Sequence, residues 1–273
     1  MRKLYIQPYN QNEFDLKNRL PSVEFLNLTS QAPQINGDWL TVPGSDGQQL
    51  NTLTYGATTV TLSLLIRAET MSAFRIAKNE LQRIFYQRQF IRLRSTLEPG
   101  RCYWVVANPV DITPAEGSSW GAVNLTFTNP SGMAQSIVRS DELPAEASQL
   151  AYGMNLPAKD LSYVGKNERF NIYNPSDVAI DPYIQHHDLI ITVTGVGSSF
   201  TLTNATNNTS IKVNSSLASG QTFKLDGVIP SINGNTQVDT DFGNIKLEQG
   251  DNDIRLSGLS NAKVTFSFPF LYF

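Results

Sequence analysis

The strongest constraint on the fold is an abrupt change of hydrophobic period. Val60, Leu62, Leu64 and Ile66 fall on one face of an extended segment and Thr59, Thr61, Ser63 and Leu65 on the other, the period of two of a half-buried strand. From Thr70 to Gln89 the period lengthens, and Met71, Phe74, Ala77, Leu81, Ile84 and Phe85 recur at three and four, one side of a helix. The two patterns together predict an amphipathic helix docked on a sheet, each fully buried side chain contributing about 1.5 to 3 kcal/mol. The helix's other side, with Arg75, Lys78, Asn79, Gln82 and Arg83, is expected to face water. The strand is preceded by Pro43-Gly44-Ser45-Asp46-Gly47, a turn whose glycines supply positive φ and whose aspartate can bond nearby backbone.

After the helix, Phe90 to Arg94, Cys102 to Ala107 and Ala122 to Thr128 read as strands, the first two joined by a Glu98-Pro99-Gly100 hairpin turn. Cys102 sits in an apolar run and is expected in the core. Between Arg139 and Lys166 sustained periodicity lapses and Pro, Gly and acidic residues take over. Beyond it come short alternating runs at Leu189 to Thr194, Ser199 to Thr203, Ser210 to Val213, Thr222 to Leu225, Ile245 to Leu247, Asp253 to Leu256 and Lys263 to Phe268. Asn207-Asn208, Asp226-Gly227 and Asn233-Gly234 punctuate them as turns. The expected fold is therefore mainly β in two domains. Residues 1–140 form a β-sandwich with one amphipathic α-helix and a hairpin, 141–165 a linker, and 166–273 an antiparallel β-sandwich. The closing Pro269-Phe270-Leu271-Tyr272-Phe273 is expected to bury at the end of its own domain.

A length of 273 residues, 40% apolar and 16% charged, suits two globular domains. A net charge of −3 offers no basic stripe to hold a phosphate backbone, so stable nucleic-acid binding is not expected. No apolar run approaches membrane-spanning length and nothing directs secretion, so a cytoplasmic chain without membrane association is expected. No catalytic, cofactor or metal site is expected. His186 and His187 are adjacent, which in a strand turns them to opposite faces, and they read as satisfied surface residues. The carboxylate pairs Asp239/Asp241 and Asp251/Asp253 lie in turn-like polar segments where solvation is the simpler role. There is no nucleophile elbow and no phosphate loop.

The ordered segments Val42-Pro43-Gly44-Ser45-Asp46-Gly47, Tyr55-Gly56, the helix, Pro99 to Trp104, Asn124 to Ser136 and Phe170 to Pro182 resemble the distal tail proteins of long-tailed bacteriophages. Ser45 departs from the basic residue expected in that family's turn, and the Asn129 to Gln135 turn lacks its aromatic. The resemblance implies a galectin-like second sandwich and a structural virion protein at the distal end of the tail, assembled in the host cytoplasm. It implies a homohexameric hub ring that meets the tail-tube protein, the tail-associated hub protein, and receptor-binding or baseplate components. Ring closure needs two complementary patches on each subunit. The stretch from Trp39 to Tyr55, read as a long Gly-rich loop with two aromatics, is the candidate, with Trp39, Asp46, Gly47 and Tyr55 as contact residues; a solvent loop with Trp39 folded onto its own core is the alternative. The competing function is a carbohydrate-binding module that holds cell-wall sugars. Against it, all three tryptophans lie in the first domain, and Tyr173 and Tyr183 flank a strand where packing is the simpler role.

Overall fold

A computed structural model describes residues 2–144, 153–158, 160–185 and 187–273. The chain divides into two compact units, Met1–Ala134 together with Phe273, and Gln135–Tyr272.

The first unit contains β1 (Leu4–Gln7), β2 (Phe14–Asp15), α1 (Leu16–Arg19), β3 (Val23–Ser30), β4 (Ile35–Leu40), β5 (Gln49–Tyr55), β6 (Thr58–Arg67), α2 (Met71–Phe85), β7 (Ile91–Ser95), β8 (Arg101–Ala107) and β9 (Trp120–Asn129). Its sheet runs in the order β2-β1-β7-β8-β9-β6-β3, with neighbours antiparallel. β6 is the axis of the sheet. It pairs with β9 without interruption from Thr58↔Asn129 to Arg67↔Trp120, and its other edge pairs with β3. Val60, Leu62, Leu64 and Ile66 are all fully buried, as the alternation predicts. α2 begins where the Thr70 hydroxyl accepts the Ala73 N–H at 3.2 Å, a side-chain cap for one of the orphan donors of a helix start. It buries Phe74, Ala77, Leu81, Ile84 and Phe85, and the Phe85 ring meets Phe127 of β9 edge-on at 5.4 Å. Met71 does not join them. It lies in the first turn, and it and Ile76 stay exposed.

At the opposite end of the sheet, Glu13 ties the β1–β2 edge to β7. Arg94 donates to both Glu13 carboxylate oxygens, with Nε at 2.8 and 2.9 Å, and Arg92 donates at 3.1 Å. The Arg94 guanidinium also lies 4.0 Å from the Tyr5 ring centroid, over its face. Partial burial raises the Glu13 pKa, but the bonds and charges of the two arginines outweigh it and hold the carboxyl below its ordinary range.

The second unit contains most of β10 (Ala134–Arg139), then β11 (Val164–Gly165), β12 (Arg169–Asn174), α3 (Pro182–Gln185), β13 (Ile190–Val196), β14 (Phe200–Asn204), β15 (Thr209–Val213), β16 (Thr222–Asp226), β17 (Ile229–Ile232), β18 (Gly250–Ser257), β19 (Ser260–Ser267) and β20 (Pro269–Tyr272). Two antiparallel sheets, β11-β19-β13-β16-β17 and β12-β18-β14-β15, make the sandwich. Aromatic pairs join them, Phe170 with Phe266 at 6.3 Å and Phe200 with Phe223 at 5.2 Å. Gly165 is required by the first of these, since a Cβ there would lie 2.3 Å from the Phe170 ring. Asn233 and Gly234 both take positive φ, the backbone of a tight type I′ turn, which only such residues adopt readily.

Several expectations change here. The run Ile245 to Leu247 is not a strand; Leu247 makes only an isolated bridge to Ile180, because its residues bury singly at the edge of the sandwich. Asp251 and Asp253 lie within β18 rather than in a turn, and Asp253 is held by Arg169 and Arg255. Residues 145–152 and 159 of the expected linker lie outside the described residues. Of its flanks, Ser140–Glu142 is a 3-10 turn whose Ser140 hydroxyl donates to Phe266 O at 2.8 Å. Phe270, Leu271 and Tyr272 are buried in the second unit, as predicted for the aromatic tail, whereas Phe273 is half-exposed and counts with the first.

The second unit also satisfies bent backbone with buried amides. Asn252 Oδ1 accepts from Glu248 N and from Asn204 Nδ2, both at 2.8 Å, and Asn252 Nδ2 donates to Glu248 O at 2.8 Å and Gly250 O at 3.1 Å. Asn252 is fully buried, so removing its amide strands several polar groups away from water. Asn252→Ala is expected to cost about 3 kcal/mol in urea unfolding, against little change for the exposed Asn171→Ala. Equal midpoints for the two variants would show that the amide network does not hold this turn.

Candidate functional site

The stretch from Trp39 to Tyr55 is not a loop. It forms an antiparallel hairpin of β4 and β5, closed by the Pro43–Gly47 turn, in which Gly44 and Gly47 adopt positive φ. The register pairs Ile35 with Tyr55, Gly37 with Leu53 and Trp39 with Leu50, and a bulge at Asn51 keeps these residues in phase. Directly opposed residues share a face, so Ile35, Gly37, Trp39, Leu50, Leu53 and Tyr55 make one continuous apolar side. Asn36, Asp38, Gln49, Thr52 and Thr54 take the other side with Leu40, and Asn51 Nδ2 donates to Asp38 at 2.6 Å across it.

Every residue of both strands is exposed. Trp39 is 54% accessible and Tyr55 43%, which rules out Trp39 folded onto the core of its unit. The indole instead lies over Gly37, where a Cβ would come within 2.5 Å of Nε1. Tyr55 meets Phe273 edge-on at 5.4 Å. Of the four residues picked from sequence, Trp39 and Tyr55 stand on the apolar face, while Asp46 and Gly47 lie at the tip and away from it. Ile35, Leu50 and Leu53 were missed. Their alternation with polar residues was visible, but the glycines around them suggested a loop.

Among the described residues no three His, Cys, Asp or Glu side chains gather as metal ligands, and no helix is long and apolar enough to cross a membrane. Cys102 is buried, and desolvation pushes its thiol up to about 12, the opposite of a reactive thiolate. His186 lies outside the described residues. His187 departs from the satisfied surface residue expected: it is only 7% exposed, and neither ring nitrogen has a hydrogen-bond partner among the described residues. Burial lowers its pKa to about 4, while the Asp188 charge pulls the other way.

Residues 9–129 match the family model of the phage tail protein RIFT-related domain. No curated protein matches the chain in sequence. Over 99% of this chain and 100% of the other, the structure is similar to the crystal structure of the Dit protein of phage SPP1, described as a paradigm of the hub adsorption apparatus in Gram-positive infecting phages, with a TM-score of 0.63 and 12% identity. A chain in the activated baseplate of phage p2 is similar at a TM-score of 0.41 and 12% identity, over 98% of each chain. Residues 9–129 are thus similar to a phage-tail domain, and the whole chain shares the fold of a Dit protein, in line with the resemblance to distal tail proteins.

The buried histidine gives a signed pH dependence. Between pH 6.5 and about 4 the unfolded chain binds a proton at His187 that the native chain refuses, so this residue's contribution is intact above 6.5 and lost as pH falls toward 4. The loss is about 3 kcal/mol at pH 4. His187→Gln is expected to remove that part of the acid sensitivity in urea unfolding at pH 7 and pH 4.5; parallel pH profiles for the two proteins would refute it.

Proposed function

We propose that the chain is a non-enzymatic structural protein of a phage tail tip, a homohexameric hub ring at the distal end of the tail in the virion, assembled in the host cytoplasm. The first unit closes the ring and the second forms a further module. One side of the ring meets the tail-tube protein and the other the tail-associated hub protein, with receptor-binding or baseplate components around it.

The observation that carries this reading is the apolar face of the β4–β5 hairpin. Two strands alone are marginal in water, and a continuous face of Ile35, Trp39, Leu50, Leu53 and Tyr55 exposed to solvent marks a surface that other protein covers. In a ring of like subunits the cover is a different patch of the next copy, because ring closure is head-to-tail. Asp46 and Gly47, at the tip, reach furthest along that neighbour. The phage-tail domain over residues 9–129 supports the same assignment.

Light scattering on the purified full chain, with negative-stain images of the same sample, tests it. The expected result is a mass of about six chains and open rings. The double variant Trp39→Ala, Leu53→Ser removes only exposed side chains, so it is expected to keep its melting temperature and lose the assembled mass. Rings of undiminished mass in that variant would remove the hairpin from the interface, and a wild-type chain that stays monomeric at high concentration and with its tail partners present would overturn the ring.

A further inference from the structure

A second exposed aromatic feature lies in the second unit, far in sequence from the hairpin. Phe242 adopts φ of 56°, a left-handed backbone that a bulky side chain rarely takes, and its ring is 92% exposed. The loop leaves it little choice. Asp241 N donates to Lys212 O at 3.0 Å, Lys212 N donates back to Asp241 Oδ1 at 2.9 Å, and Thr240 Oγ1 accepts Phe242 N at 3.2 Å. A large ring in a strained backbone, bolted to β15 and aimed at water, contributes no packing to the fold.

Phe242 is one lip of a cleft of about 510 Å³. Tyr183, 73% exposed, is another lining ring, contrary to the packing role expected from sequence. Neither ring has an aromatic partner among the described residues. Ile211 of edge strand β15 and Pro230 of edge strand β17 line the cleft. Polar groups stand among them: Asn244, whose amide makes no hydrogen bond among the described residues, the Thr240 hydroxyl, and Asp181, whose Oδ1 accepts from Tyr183 N at 3.0 Å and Ile184 N at 3.3 Å.

We propose that this cleft binds an uncharged oligosaccharide, with pyranose faces stacked on Phe242 and Tyr183 and hydroxyls bonded by Asn244, Thr240 and Asp181. Flat apolar rings combined with an unpaired amide, a hydroxyl and a carboxylate match a sugar, which has a C–H face and a rim of hydroxyls, better than an aliphatic chain, which would leave the Asn244 amide unpaired. The volume suits a short saccharide. Asp181 in the wall and Asp241 beside Phe242 disfavour a polyanionic glycan. The proposal is independent of ring formation, so either can fail without the other.

The test is calorimetric titration of the full chain with maltose, cellobiose, lactose and chitobiose, with polyglycerol phosphate as the anionic control. Saturable binding of at least one neutral disaccharide is expected. Phe242→Gly and Tyr183→Ala should each weaken it about tenfold. Glycine suits the left-handed backbone, so Phe242→Gly should keep or raise the melting temperature while binding falls. No saturable heat with any neutral sugar would overturn the proposal. So would binding that both variants leave intact, or a loss of assembled mass in Phe242→Gly, which would make the ring a contact between copies.

Discussion

The uninterrupted ladder between β6 and β9 is the interaction on which the first unit rests. Ten consecutive register pairs, Thr58↔Asn129 through Arg67↔Trp120, fix which side of β6 faces inward, because a slip of one residue would turn every side chain over. With Val60, Leu62, Leu64 and Ile66 inward, an apolar floor exists on which α2 can lie, and the contact of Phe85 with Phe127 locks helix to sheet through β9. β3 pairs with the other edge of β6 despite a bulge between Phe25 and Asn27, so the centre of the sheet is regular and the irregularity is confined to its margin.

The hairpin of β4 and β5 uses the same alternation with no floor to lie on. Its register collects six residues on one side, and none of them is buried. The Trp39 ring lying over Gly37 shows how the hairpin manages alone: the large ring covers the one position on that face that has no side chain. That arrangement shields part of the indole and keeps the face flat, which is the shape a second protein surface can meet over a large area. The alternation that builds a core in β6 therefore leaves an uncovered apolar face in β4 and β5, and what separates them is whether the same unit supplies the cover.

How much of this was legible follows from what each signal depends on. β6 and α2 were readable because their periods are long and unbroken, and every buried helix position named from sequence except Met71 is buried. The hairpin was misread because local glycine chemistry masked alternation that needs both strands to be seen: Ile35 and Gly37 mean little until Tyr55 and Leu53 stand opposite them. β17 went unseen because Ile229, Pro230, Ser231 and Ile232 do not alternate; it is an edge strand with half of its contacts, where proline is tolerated. His187 could not be placed either, since its burial is set by tertiary packing that adjacency to another histidine does not encode. The order of turns, strand and helix, by contrast, was enough to point to the fold that the whole chain shares with a Dit protein.

The two exposed aromatic features differ in a way that bears on their roles. Trp39 sits in ordinary extended backbone, and its exposure is what any unpaired hairpin face would show. Phe242 combines exposure with a positive φ, so the chain departs twice from what the fold alone favours, once in placing a large ring in water and once in holding it on a backbone that glycine would fit better. Packing cannot account for the choice, because the ring packs on almost nothing. Turn geometry cannot either, because the bonds to Lys212 and Thr240 are made by Asp241 and by the backbone N–H of 242 and would persist with any non-proline residue at 242. What remains specific to phenylalanine is the face of the ring itself, presented at the mouth of a cleft whose amide and hydroxyl groups stand ready beside it.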